Sequence, residues 1–198
     1  MTSLEVTPPQ ALAWVRWWVV AGPKNPSASA RLAQVPEAWL ERCAGMDATL
    51  PAPPNPGLLP LLALDAAQWS RVLALAAAVC AGSQAAPQGL DEAGRLWCRR
   101  LGRALQPGHW LPARWRDGDS RTQGLRLLRA WVGEPVWQRL RLEFAGTPIE
   151  DAPLEGLPHA RLASLWQAVG WYALTFTTQG SSHADPSPPE PEPSPGAA

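Results

Sequence analysis

The chain has 198 residues and 21.3 kDa, enough for one domain, or one domain with a tail. Lys+Arg and Asp+Glu both number 17, so the formal net charge is zero. That balance argues against a uniformly basic nucleic-acid protein and against an acidic solvating chain. At 46% the apolar fraction supports a core, while the charged fraction of 17% falls below the ~25% average. The 23 prolines stand out, as do the 12 Trp among 15 aromatic residues. Lys24 is the one lysine among 17 basic residues, a bias that a GC-rich genome produces without any functional selection.

From the N-terminus, Met1 to Gln10 carries Glu5 and no basic residue ahead of its apolar stretch, unlike a signal peptide. Pro8 and Pro9 open a helix with Leu12, Val15 and Val19 on its inner face, closed before Gly22-Pro23. Pro36 opens a short helix, Glu37 to Ala44, with Gly45 after its end. The prolines at 51, 53, 54, 56 and 60 predict a stiff connector over 51–60. Asp65 is the expected N-cap of the clearest helix, which has Trp69, Val72, Leu73, Ala76 and Val79 on one face and Gly82 behind it. Its apolar run from Val72 to Ala81 is half the ~20 residues a membrane span needs.

Asp91 caps the next predicted helix, with Leu90, Trp97, Leu101 and Leu105 inward. Arg95, Arg99 and Arg103, at four-residue spacing, form a solvated face. Ser120-Arg121-Thr122-Gln123 fits a capping box, with Leu125, Leu128 and Val132 following at helical spacing up to Gly133-Glu134-Pro135. From Gln138 to Phe144, Leu140, Leu142 and Phe144 alternate with charged residues, which predicts a strand, and Ser3 to Thr7 is its expected partner. Pro158 opens a last helix with Leu162, Leu165, Trp166 and Val169 inward, running to about Ala173. Ser181 to Ala198 holds six prolines and no large apolar residue, the composition of a disordered tail. The expected architecture is mainly α: one irregular helical domain of six to seven helices over 1–180, with one small strand pair around 3–7 and 138–144, and a tail over 181–198.

Charge is uneven along the chain. Residues 95–141 hold eleven Arg against three acids, and residues 143–198 hold seven acids against Arg161. Little catalytic chemistry is on offer. Cys43, Cys80 and Cys98 are odd in number and lie in apolar stretches, as small buried hydrophobes do in a reducing compartment. Pairing Cys98 with His109 gives a conceivable dyad, but Cys98 lacks the cationic setting that lowers a thiol pKa. No Cys or His pair has zinc spacing, and no phosphate-binding glycine motif occurs; Gly94, Gly102 and Gly108 read as scattered punctuation. Asp117-Gly118-Asp119 starts like a calcium loop, yet Leu128 stands where the bidentate Glu belongs. No catalytic residue, cofactor or metal is therefore expected.

The Gly- and Pro-containing loop from Gln106 to Gly118 places Trp110, Arg114, Trp115 and Arg116 together, with Arg121 just inside the next helix. Trp and Arg are the residues of protein interface hot spots, and also of single-strand nucleic-acid binders. These five are the candidate contact residues, in a partner-binding protein or in an Arg/Trp-rich nucleic-acid module. The competing structural reading makes Trp110 and Trp115 a lid on the core.

The stretch from His109 to Leu142 resembles the protein K family of type III secretion systems, the SctK proteins, with YscK and PscK as members. In that pattern a His-Trp is followed ten residues after the Trp by Ser-Arg-Thr, and a Trp stands eleven beyond the Ser. Here His109-Trp110, Ser120-Arg121-Thr122 and Trp131 keep both spacings. Glu134-Pro135, Trp137 and Arg139-Leu140-Arg141-Leu142 continue it, with a shorter Trp131-to-Trp137 distance, as after deletion of a loop. Upstream, Val35-Pro36-Glu37-Ala38-Trp39 is similar to the family's L-P-x-x-W element. The resemblance implies a non-enzymatic, mainly helical sorting-platform adaptor, cytoplasmic and peripheral at the inner-membrane face. No membrane insertion is expected from the short apolar runs, and no nucleic acid from the neutral net charge. Its implied partners are the forkhead-associated-like cytoplasmic domain of protein D and the pod protein Q.

Overall fold

A computed structural model describes residues 6–20, 51–82, 90–144 and 153–177. Six α-helices appear among them: α1 (Pro8–Val20), α2 (Ala66–Ala81), α3 (Glu92–Leu105), α4 (Ser120–Val132), α5 (Glu134–Leu140) and α6 (His159–Thr177). Short 3-10 turns cover Leu61–Ala63, Pro107–His109, Ala113–Arg116 and Arg141–Phe144. The described residues are mainly helical and contain no strand. The expected helix over 37–44 and the tail over 181–198 lie outside them.

The hub is α2, which packs against α3, α4 and α6. A full capping box starts it: the Asp65 carboxylate accepts from the Gln68 amide at 2.8 Å, and the Gln68 side chain accepts from the Asp65 amide at 2.9 Å. Inside α2 the apolar residues cover most of the circumference, Val72 to Cys80 being buried apart from Ala74. A helix apolar nearly all round belongs in the centre of a fold. Two neighbours reach its backbone through glycine. A Cβ on Gly102 of α3 would meet the Val79 carbonyl oxygen at 2.5 Å, and one on Gly124 of α4 would meet that of Leu73 at 2.6 Å. Gly102 is thus a helix-contact residue rather than punctuation.

Most tryptophans form the core. Trp131 of α4 stacks on Trp166 of α6 with ring centroids 5.7 Å apart, and Trp69 meets Phe144 edge-on at 5.1 Å. The buried indole nitrogens of Trp69 and Trp166 have no acceptor among the described residues. Leaving each N–H unpaired costs about 1–3 kcal/mol. Burying ~150–250 Å² of indole at ~25 cal/mol per Å² returns about 4–6 kcal/mol, so the ring area wins.

Three expectations are corrected. Residues 138–144 are not a strand: α5 ends at Leu140 and a 3-10 turn takes Arg141–Phe144. Val136, Trp137, Leu140 and Phe144 are the buried set, at offsets of one, four and eight that a helical path satisfies. Of the expected partner strand only Val6 and Thr7 are described, and they precede α1 without pairing. Second, α1 turns the other face inward. Trp14 and Trp18 are buried, while Leu12 and Val15 are 52% and 44% exposed; the Val19 side chain lies outside the described residues. Apolar residues surround this helix, so packing picks the larger rings. The Trp14 indole donates to the Ala52 carbonyl at 2.7 Å, and the Arg139 guanidinium lies 4.3 Å over the Trp18 ring.

The third concerns α4. Its N-cap is Asp119, whose carboxylate accepts from the Thr122 amide at 2.7 Å, and Ser120 is already the first helical residue. Gln123 turns its amide back to the Arg116 and Gly118 carbonyls at 2.7 and 2.9 Å instead of closing a box on Ser120. The proline segment 51–60 is more than a spacer, since Leu58 within it is fully buried and Leu61 follows it into the core.

Candidate protein-contact surface

Gln106 ends α3 in the left-handed conformation, φ 50°, with its amide on the Gly102 carbonyl, and so turns the chain into the 106–118 loop. Two 3-10 turns give the loop its form. Trp110 is half-buried and its indole donates to the Leu105 carbonyl at 2.9 Å, satisfying one of the last carbonyls of α3. Trp115 is 2% exposed. The expected contact role of Trp115 therefore falls, and Trp110 works chiefly as the lid's edge. Burial of Trp115 anchors the second turn and leaves its neighbours Arg114 and Arg116 on the outside.

Those arginines are exposed but placed. The Arg114 guanidinium reaches the Pro153 carbonyl at 3.4 Å, and that of Arg116 lies 6.0 Å from the Trp115 ring centroid. Arg121 is drawn inward: it donates to the Ser70 hydroxyl of α2 at 2.8 Å and lies 5.9 Å from the Phe144 ring. It belongs to the α2–α4 packing more than to an open surface. Arg126 donates to the Asp117 carbonyl and closes the loop against α4. Of the five candidates, only Arg114 and Arg116 present an accessible charged head.

A second set of exposed arginines lies on α3. Arg95, Arg99, Arg100 and Arg103 are all exposed on it, and Arg103 stands three residues ahead of the loop. Their four-residue spacing was legible, but a solvated face and a contact face have the same period.

Elsewhere, an open groove of about 540 Å³ runs between Pro53–Gly57, the end of α4 at Trp131 and Val132, and the start of α6 at His159. Its walls are mostly proline, alanine, valine and the edge of a buried indole, with Asn55, His159 and Gln167 as the polar side chains and no converging charged pair.

The Cys98–His109 pairing is not formed. Cys98 is buried against the Leu75 carbonyl and burial pushes its thiol up to about 11, whereas His109 is exposed. Cys80 is buried too, with its thiol pushed up to about 12. Cys43 lies outside the described residues. Among the described residues no three His, Cys, Asp or Glu side chains converge as metal ligands would. No helix among them is long and apolar enough to cross a membrane.

Comparison of the chain with protein-family models, with curated proteins and with solved structures finds no match.

Proposed function

We propose that this chain is a non-enzymatic adaptor of the protein K type in a type III secretion sorting platform, peripheral at the inner-membrane face. In that role it links the cytoplasmic domain of protein D to the pod protein Q. The observation that carries the reading is the ordered run His109-Trp110, Ser120-Arg121-Thr122, Trp131, Glu134-Pro135, Trp137 and Arg139 to Leu142. Its shortened step between Trp131 and Trp137 coincides with a junction of one residue, Gly133, between α4 and α5. Exposed arginines on a loop tied to α3 and α4 by hydrogen bonds give forked donors at low ordering cost, as protein interfaces use them.

The nucleic-acid reading loses support from the tryptophans. Stacking platforms need open ring faces, and within the Arg-rich stretch Trp115, Trp131 and Trp137 are buried and Trp97 and Trp110 half-buried; the exposed Trp171 lies on α6, outside that stretch.

The test is co-purification of the full chain with each partner domain, for wild type and for Arg114→Ala/Arg116→Ala. The expected result is an unchanged thermal midpoint with weakened capture of one partner. Failure of the wild type to hold either partner sinks the reading. Micromolar nucleic-acid affinity that falls steeply with salt would replace it with the alternative.

A further inference from the structure

The outer side of α3 carries Arg95, Arg99, Arg100 and Arg103, all exposed and none with a hydrogen bond or ion pair to another described residue. Elsewhere the arginines near acids do pair: Arg129 grips Glu134 through two contacts of 3.0 and 3.2 Å. Along α3 the acids, Asp91 and Glu92, stand at the N-terminal end, and Asp91 is occupied in capping Gly94 at 2.8 Å. Four like charges within nine residues repel one another, so the surface favours an anionic occupant.

The chain itself supplies one, and its exit point lies beside this helix. Tyr172 of α6 stacks on Trp97 of α3 with centroids 4.2 Å apart, and a Cβ on Gly94 would stand 3.5 Å from the Tyr172 hydroxyl. Five residues later α6 ends at Thr177. Beyond it the sequence reads Asp185-Pro-Ser-Pro-Pro-Glu190-Pro-Glu192-Pro, three acids and no base through Ala198. We propose that this acidic proline-rich segment, residues 185–192, docks in cis along the arginine stripe of α3 as a salt-sensitive strap.

The lengths agree. Eight residues from Thr177 to Asp185 span up to ~26 Å, enough to pass round a helix ~10–12 Å across. Asp185, Glu190 and Glu192 each precede proline, a position that favours extended over helical backbone. In polyproline II geometry Glu190 and Glu192 are ~6.2 Å apart along the axis, and arginines four apart on a helix are ~6 Å apart. A proline bias toward extension lowers the ordering cost, and tethering places the acids at millimolar effective concentration. A strap held by exposed ion pairs is weak, and a more anionic partner displaces it.

The experiment uses the full chain with a nitroxide ligated to Ala198 and reads amide broadening in α3. At 50 mM salt the amides from Arg95 to Arg103 should broaden, and 500 mM salt should relieve it. Arg95→Glu/Arg99→Glu/Arg103→Glu should abolish the broadening at low salt, as should Asp185→Lys/Glu190→Lys/Glu192→Lys. Combining the two sets should restore it. Should the first set fail to fold, Arg95→Gln/Arg99→Gln/Arg103→Gln reads the same loss. Absence of broadening at 50 mM, or broadening indifferent to salt and charge, overturns the strap. Broadening displaced by a short oligonucleotide at physiological salt would instead assign the stripe to nucleic acid.

Discussion

Gly124 of α4 lies directly on the backbone of Leu73 in α2, so that a Cβ there would come within 2.6 Å of the Leu73 carbonyl oxygen and 2.9 Å of its Cα. Alanine is the better helix former by about 1 kcal/mol, and on an exposed helix Gly124→Ala would stabilise. Here the obstacle is backbone of the central helix, which cannot swing aside. Overpacking of this kind costs about 1–3 kcal/mol or more, and it wins. Gly124→Ala should lower the denaturant midpoint; a raised midpoint would mean that α2 and α4 do not meet at this point.

The cap of α4 separates two neighbouring residues. Asp119→Ala should cost about 0.5–2 kcal/mol, while Ser120→Ala should leave the denaturant midpoint nearly unchanged. The bond to Thr122 holds the Asp119 carboxyl below its usual range. The folded value therefore lies below the unfolded one of about 3.9, so the cap's contribution is complete above that pH. It is lost as pH falls through the lower folded value. The gap between wild type and Asp119→Ala should close in strong acid; a gap that persists there would show that the carboxylate is not the cap.

These two sites mark what the sequence could and could not convey. Asp65 and Asp91 were legible as caps because each stands alone at its helix start, and the α6 stripe from Leu162 to Val169 has an unbroken helical period. Asp119 and Ser120 are adjacent good cappers, and local pattern does not choose between them. Leu140, Leu142 and Phe144 fit a period of two as well as part of a helical one; only the burial of Val136 and Trp137 decides. Glycine at 102 and 124 reads as weak helix former until α2 is laid beside it. In the 106–118 loop the Trp and Arg content marks a candidate contact, but which tryptophan turns inward is a tertiary matter.

Arg139 fastens α1 to the body. It donates to the Trp18 carbonyl at 3.1 Å and lies over the Trp18 ring, and burial lowers its pKa. A hydrogen bond from a charged group together with a partly buried cation–π contact amounts to about 2–4 kcal/mol. Arg139→Met keeps much of the stem packing and removes both. Amide exchange in α1 should accelerate selectively, with α2 and α4 protection little changed. Uniform acceleration across all helices would mean that α1 has no separate opening.

The buried thiols should be inert. With Cys80 at about 12 and Cys98 at about 11, almost no thiolate exists near neutral pH. Peptide mapping after treatment of the native protein with an alkylating reagent at pH 8 should find both unmodified, and both modified in denaturant. Rapid native labelling of Cys98 would contradict its burial beside Leu75.

The loop offers the sharpest separation of fold from contact, because Trp115 is buried while its neighbour Arg116 is exposed. Trp115 is buried in the core, so Trp115→Ala should cost about 3–5 kcal/mol, as large-to-alanine changes in cores do. Arg114 and Arg116 are exposed, and surface substitutions typically stay within about 0.5 kcal/mol. The Arg116 backbone must nonetheless stay put, because Gln123 holds its carbonyl at 2.7 Å, and a change to alanine preserves that bond. Denaturant curves should therefore place Arg114→Ala/Arg116→Ala with the wild type and Trp115→Ala far below it. A stable Trp115→Ala protein would return that ring to the surface and to the list of contact residues.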